Sequence, residues 1–226
     1  MDKPRVLFVY LHTVYDNAMS NQNDQTIAGY NRAVAKYVES SPQLVERELK
    51  AWIDKNLNKL GSNPKILEIG SGTGKDADYF ASKGYDMELT DASQGFVEYL
   101  NKTGKTARLL NVLTDSLGTN YDMVFADAVL LHFTPGELRT ILSKIYNALK
   151  PNGVIVFSLK EGAGEEITER KLGVPRYFRY WEANEITSVL LEANFTNVEI
   201  DTLDDYRGKD RPGWLLISAQ KKSEAS

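Results

Sequence analysis

The chain contains no cysteine, which excludes disulfides, thiolate metal centres and a cysteine nucleophile. Histidine is almost as scarce. His12 and His132 are the only two, too few for a histidine-rich metal site, and no metal is expected. The apolar run from Val6 to Leu11 falls far short of the ~20 residues that cross a bilayer. It follows Lys3 and Arg5 but lacks a long apolar centre and a small-residue cleavage site, so it makes a poor signal peptide. Nor is there an excess of positive charge. With 27 basic against 31 acidic residues the formal net charge is −4, which gives no general attraction to nucleic acid or to an anionic membrane. A cytoplasmic protein, with no membrane or nucleic-acid partner, is the expectation.

What is present suits one folded unit with room for a small cap: 226 residues, 42% hydrophobic and 26% charged. From Lys65 onward, strand-like and helix-like patterns alternate. Strands are expected at Ile66 to Ile69, Asp86 to Thr90, Ala107 to Leu110, Met123 to Ala126 and Val154 to Leu159. Helices are expected at Lys75 to Lys83, Gln94 to Lys102 and Pro135 to Leu149, with another from Glu182 to Asn194. Alternation of this kind implies a parallel sheet covered on both faces. Two late strand-like runs, Val198 to Leu203 and Gly213 to Gln220, lie close enough to form an antiparallel hairpin closing that sheet.

Ahead of the core, Gln25 to Leu60 carries amphipathic helical spacing. The expected organisation is therefore an N-terminal extension over residues 1–18, a helical cap over 19–60, the core over 61–221 and a frayed tail over 222–226. Residues 1–18 fit this plan poorly, and a start codon placed upstream of the native one would account for them.

The first strand runs into "IGSGTGKD", with glycines at 70, 72 and 74. A dinucleotide turn spaces its glycines G-x-G-x-x-G, and here the third comes one residue early. A P-loop needs Gly, four residues, then Gly-Lys-Ser/Thr, and Gly74-Lys75 is followed by Asp76. Neither phosphate-binding motif fits. Asp91 ends the second strand, where a carboxylate can take the hydroxyls of a ribose. A turn with no diphosphate to hold needs only close backbone approach to a small polar group.

With these stretches in place, the chain resembles the class I S-adenosylmethionine-dependent methyltransferases. The matching segments are "ILEIGSGTGKDADYFASKGY", "MELTDAS", "YDMVFADAVLLHF" and "IYNALKPNGVIVFSLK". "SLKEGAGEE", "RYFRYW" and "DRPGWLLISAQKK" are similar to a bacterial subgroup of small-molecule type. The resemblance implies an α/β, Rossmann-like, seven-stranded mostly parallel sheet with helices on both faces and an N-terminal helical cap. It also implies S-adenosyl-L-methionine as cofactor, S-adenosyl-L-homocysteine as product, and a small-molecule methyl acceptor, in a monomer or homodimer. Carried over by position, Gly70, Ser71, Gly72 and Gly74 would line the methionine part of the cofactor, with Glu68 and Thr73 in the same set. Asp91 would hold the ribose and Ala92 would touch adenine. Asn111 and Val112 follow the third strand, where such enzymes often place an acid facing the adenine amino group; Asn111 stands there instead. Asp127 would lie near the cofactor's amino group, and Tyr30 would close over its carboxylate.

Each residue also has a plainer reading. Asp91 could cap the following helix. His132 could be a hydrogen-bonded residue at a strand end, or a general base helped by Tyr30 or Asp127. Tyr30 and Tyr37 could be core aromatics. The stretch carrying Glu165, Glu166, Arg170, Arg176, Tyr177 and Arg179 could be a solvated loop or a substrate lid. A nucleic-acid or protein methyltransferase, and a cofactor-binding module without turnover, remain the alternatives to a small-molecule enzyme.

Overall fold

The computed structural model describes residues 22–205, 208 and 211–223. The N-terminal extension at 1–18, the first residues of the cap at 19–21 and the end of the tail at 224–226 lie outside the described residues.

Helix α1 covers residues 22–32 and is followed by α2 (Val34–Ser40) and α3 (Arg47–Leu57). The core then alternates β1 (Ile66–Ile69), α4 (Lys75–Ser82), β2 (Met87–Asp91), α5 (Gln94–Lys102), β3 (Ala107–Leu109) and β4 (Tyr121–Ala126). A short 3₁₀ turn (Leu130–His132) leads into α6 (Pro135–Ala148) and the long β5 (Leu149–Glu161). Next come β6 (Glu165–Thr168), β7 (Arg176–Trp181), α7 (Ala183–Glu192), β8 (Phe195–Leu203) and β9 (Trp214–Lys221).

Strands β3, β2, β1, β4 and β5 lie side by side, all parallel. Beyond β5, strand β9 pairs antiparallel over Val154–Lys160, and β8 pairs antiparallel with β9. These seven strands are the expected sheet, closed by the expected hairpin. The sequence between β5 and α7 departs from expectation. Instead of a loop, β6 and β7 form a second antiparallel hairpin, and the end of β7 pairs parallel with Lys160 and Glu161 of β5.

The period of two along each strand sorts side chains onto the two faces. Leu67, Val124, Ile155, Phe157 and Ile217 join α6 and α7 residues such as Leu138, Ile145 and Leu190 in the larger core. Ile66, Met123, Phe125 and Val156 face the other way, against Phe80 of α4 and Trp52, Ile53 and Leu57 of α3. Thus α3 is a sheet-covering helix, and of the three N-terminal helices among the described residues α1 and α2 remain free to roof the carboxyl ends of the strands. Helix α6 starts where its sequence dictates. Thr134 and Glu137 form a reciprocal capping box with Pro135 in the first turn.

Candidate active site

A cavity opens at the carboxyl ends of β1, β2 and β4, where open α/β sheets place their ligands. Its non-atom space is about 710 Å³, part of it open to solvent. Its floor includes Gly70, Gly72, Asp91, Ala92, Asn111 and Val112; Asp127, Tyr37 and His132 are in its walls. Helix α1 is the roof. Asn23, Thr26, Ile27 and Tyr30 all line the cavity, the i, i+3, i+4, i+7 spacing that puts residues on one helix face.

Polar contacts dock that roof. The Asn111 amide donates to Asn23 Oδ1 at 2.8 Å, and Asn31 Oδ1 accepts from the Gly95 amide at 2.7 Å. The Tyr177 amide donates to the Thr26 hydroxyl at 3.1 Å, tying α1 to the β6–β7 hairpin. Asn111, at the position where an acid was the alternative, thus serves in part to hold α1.

Asp91 is buried. One carboxylate oxygen accepts from the Gly72 amide at 3.0 Å and the other from the Ser93 amide at 2.8 Å. Each oxygen keeps acceptor capacity towards the cavity. Burial pushes its carboxyl up to about 6, against the pull of the amides of Ser93, Gly72 and Ala92. The cap of α5 is Ser93, whose side chain accepts from the Phe96 amide. Gly70 and Gly72 both have positive φ. A Cβ on Gly70 would stand 2.4 Å from Val129 Cγ2, whereas one on Gly72 would meet nothing closer than 4.0 Å and so would project into open space. A backbone cradle beside an under-used carboxylate is what a ribose-bearing cofactor requires.

Four residues expected at the site do not line the cavity: Glu68, Ser71, Thr73 and Gly74. The Ser71 amide donates to the Thr90 carbonyl at 2.9 Å and its hydroxyl accepts from the Thr90 amide at 3.2 Å, so its polar groups fasten the turn to β2. Gly74 is the left-handed N-cap of α4 and is packed against Lys105 and Leu100. Thr73 sits between them, half-buried. Glu68 is buried. Burial first, and then the Asp76 charge, push its carboxyl up to about 8, and its Oε2 has no hydrogen-bond partner.

Asp127 accepts from Lys75 Nζ at 2.9 Å and from the Ser158 hydroxyl at 2.6 Å. Lys75 also pairs with Asp76 at 2.6 Å. Burial works against the Lys75 ammonium, but Asp127 and Asp76 outweigh it and hold its value above the ordinary one. Ser158 in turn accepts from the amide of Ala128 at 2.8 Å, beside a left-handed backbone at Ala128 (φ 57°). Sequence reading missed Ser158 and Ala128. A lone serine in the apolar run "VIVFSL" was the available signal.

His132 is buried and spans two partners. Its Nδ1 lies 2.6 Å from the Tyr177 carbonyl oxygen and its Nε2 lies 2.8 Å from the Tyr30 hydroxyl. A carbonyl only accepts, so Nδ1 carries the proton and Nε2 presents its lone pair to the phenol. Burial depresses the imidazole to about 4, and Arg176 adds to the depression while the Tyr177 carbonyl opposes it. Tyr30, half-buried, is raised above the usual phenol value by desolvation, with Arg176 pulling it back. The neighbour of His132 is therefore Tyr30; Asp127 is engaged elsewhere.

In the hairpin, Tyr177 and Tyr180 donate to Glu165 and Glu166, each at 2.6 Å, and Arg179 pairs with Glu185 at 2.7 Å. Among the described residues there is no cluster of three or more metal-ligating side chains, and no helix is long and apolar enough to cross a membrane.

Residues 43–200 match the family model of a methyltransferase domain. The chain is 26% identical over 160 residues to the phosphoethanolamine N-methyltransferase of Plasmodium falciparum, covering 66% of this chain and 59% of that protein. It is 30% identical over 120 residues to the malonyl-[acyl-carrier protein] O-methyltransferase of Priestia megaterium, covering 48% and 43%. It spans about half the length of the curated relatives it matches. Among solved structures, the Burkholderia thailandensis 1,6-didemethyltoxoflavin-N1-methyltransferase, holding 1,6-didemethyltoxoflavin and S-adenosylhomocysteine, shares the fold. It aligns with a TM-score of 0.63 at 20% identity over 99% of this chain and 92% of that one.

Proposed function

We propose, for a chain that belongs to the class I S-adenosylmethionine-dependent methyltransferase family, that it moves the methyl group of S-adenosylmethionine onto an oxygen, nitrogen or sulfur atom of a small-molecule acceptor. The observation that carries this reading is the Tyr30–His132 hydrogen bond, 2.8 Å long, set in the same cavity as the Gly72–Asp91 cradle. A ligand-binding fold and an acid–base pair open into one space.

When bound, the cofactor supplies an electrophilic methyl group that needs no covalent enzyme intermediate. Asp91 would accept the two ribose hydroxyls, and Gly70 and Gly72 would let the backbone approach the amino-acid portion, with Asp127 near its ammonium. Ala92, Asn111 and Val112 would bound the adenine. The remaining work of this chain is orientation, closeness and exclusion of water. Where the acceptor must lose a proton, Tyr30, which lines the cavity, would take it at its hydroxyl while passing its own proton to the hydrogen-bonded His132 Nε2. The relatives that act on phosphoethanolamine and on 1,6-didemethyltoxoflavin support a small acceptor, and the O-methyltransferase of malonyl-[acyl-carrier protein] leaves the methylated atom open.

Calorimetry tests the reading. S-adenosylhomocysteine is expected to bind in the micromolar range and NAD not to bind at comparable concentration, because the glycine spacing lacks the diphosphate pattern. Asp91→Ala should weaken S-adenosylhomocysteine by ~1–3 kcal/mol, the scale of lost hydrogen bonds to a charged group. Tight NAD binding would overturn the assignment.

A further inference from the structure

Arg176, at the start of β7, is only 4% exposed. Its neighbours in the hairpin are matched with acids: Arg179 with Glu185 at 2.7 Å and Arg170 with Glu166 at 3.9 Å. No carboxylate pairs with Arg176 among the described residues. Its guanidinium donates one hydrogen bond, from Nη1 to the Tyr30 hydroxyl at 3.3 Å, and its buried Nε has no acceptor. The rings of Tyr30 and Phe178 lie 5.5 and 5.0 Å from its centre. Aromatic faces are weak substitutes for a counter-ion. A buried cation left with an orphaned donor is costly, and such groups are kept where an anion completes them.

Arg176 does not itself line the cavity, but Nη1 touches the hydroxyl of Tyr30, which does, so the positive charge sits directly behind the wall of the proposed reaction space. The planar fork of a guanidinium fits a carboxylate or a phosphate, taking two oxygens at once. We propose that Arg176 is the docking point for an anionic group, a carboxylate or a phosphate, on the methyl acceptor, and that it selects negatively charged acceptors. The inference rests on the methyltransferase reading. The acceptor is favoured over the cofactor as the source of the anion because of place. The cradle for the cofactor comes from β1 and β2, whereas β7 lies beyond β4 and β5 in the strand order, next to the Tyr30–His132 pair. A docked anion also acts on that pair. Arg176 lowers the proton affinity of His132, and an anion on the guanidinium cancels that influence when the acceptor is present.

The test uses the full chain, the variants Arg176→Gln and Arg176→Lys, and inorganic phosphate and acetate as probes at constant ionic strength. Titration of the S-adenosylhomocysteine-loaded protein should show that the parent binds one or both anions. Arg176→Gln should weaken that binding roughly tenfold or more, with affinity for S-adenosylhomocysteine held within about threefold. Arg176→Lys, which keeps the charge but loses the fork, should fall between the two and carries the test if the glutamine variant does not fold. Failure of the loaded parent to bind either anion, or equal binding by parent and variants, overturns the inference. So does a loss of S-adenosylhomocysteine affinity in Arg176→Gln with 5′-methylthioadenosine binding unchanged, since that would assign the arginine to the cofactor's own carboxylate. A parent that binds no S-adenosylhomocysteine fails the methyltransferase reading itself.

Discussion

At the scale of single residues, the imidazole of His132 is held by two hydrogen bonds that fix which nitrogen carries the proton. Its value near 4 means that it stands neutral across the physiological range, a ready proton acceptor but a weak one. His132→Ala and Tyr30→Phe should each lower turnover by about 10²–10⁴-fold, and His132→Ala should leave S-adenosylhomocysteine affinity within a few-fold. The pH profile of the parent should stay flat through 6.5, the value of a free imidazole, with any histidine-linked loss confined to more acidic solution. A clear step at 6.5 would show an imidazole titrating outside this environment. A purely structural His132 gives another pattern: melting temperature falls by the equivalent of ~1–3 kcal/mol while turnover per folded molecule stays intact. Measuring turnover, melting temperature and cofactor affinity on the same variant separates the two.

At the scale of elements, the glycine turn performs two jobs that two substitutions can divide. Gly70 and Gly72 share positive φ, but only Gly70 faces protein where a Cβ would go. Gly70→Ala should therefore destabilise by ~1–3 kcal/mol through overlap with Val129 as well as strain. Gly72→Ala should fold with a penalty of ~1–2 kcal/mol for its left-handed backbone and lose cofactor affinity, because its methyl enters the cavity. Thermal melts and titrations of both check this, and equal loss of affinity with equal loss of stability would contradict the division. The turn was legible in the sequence because its glycine spacing is local, as were the core strands and the capping box of α6. The β6–β7 hairpin was not. In β6 the one aliphatic residue, Ile167, is 56% exposed, so the usual link between apolar character and the buried face is reversed there. Nor could spacing show that residues 30, 132 and 176 meet, since their contact depends on α1, the 3₁₀ turn and β7 converging in space.

For the molecule as a whole, folding gathers Glu68, Asp76 and Asp127 around the single ammonium of Lys75, and this sets a dependence of stability on pH. Burial raises Glu68 from its ordinary 4.5 to about 8, with the charge of Asp76 adding to the shift. The folded chain then holds a proton that the unfolded chain releases, so this contribution is complete below pH 4.5 and is lost as pH rises towards 8. Asp76 and Asp91, each raised by burial to about 6, act in the same direction over lower windows that end near 6. His132 acts oppositely. Lowered from 6.5 to about 4, it favours the folded state above 6.5 and loses that stabilisation as pH falls through the window between the two values. Below 6.5 these contributions oppose one another; above it, Glu68 is the one of the four still titrating. The cofactor-free protein should therefore be less stable at pH 8.5 than at pH 6.5, by up to ~2 kcal/mol. That corresponds to about 4–8 °C in melting temperature for a chain of this size. Glu68→Gln keeps the shape of the protonated acid without its titration, so its melting temperature should vary less over the same range and exceed that of the parent at pH 8.5. Parallel profiles for parent and variant would mean that Glu68 is already ionised beneath the turn, and that the Lys75 ammonium balances all three carboxylates at once.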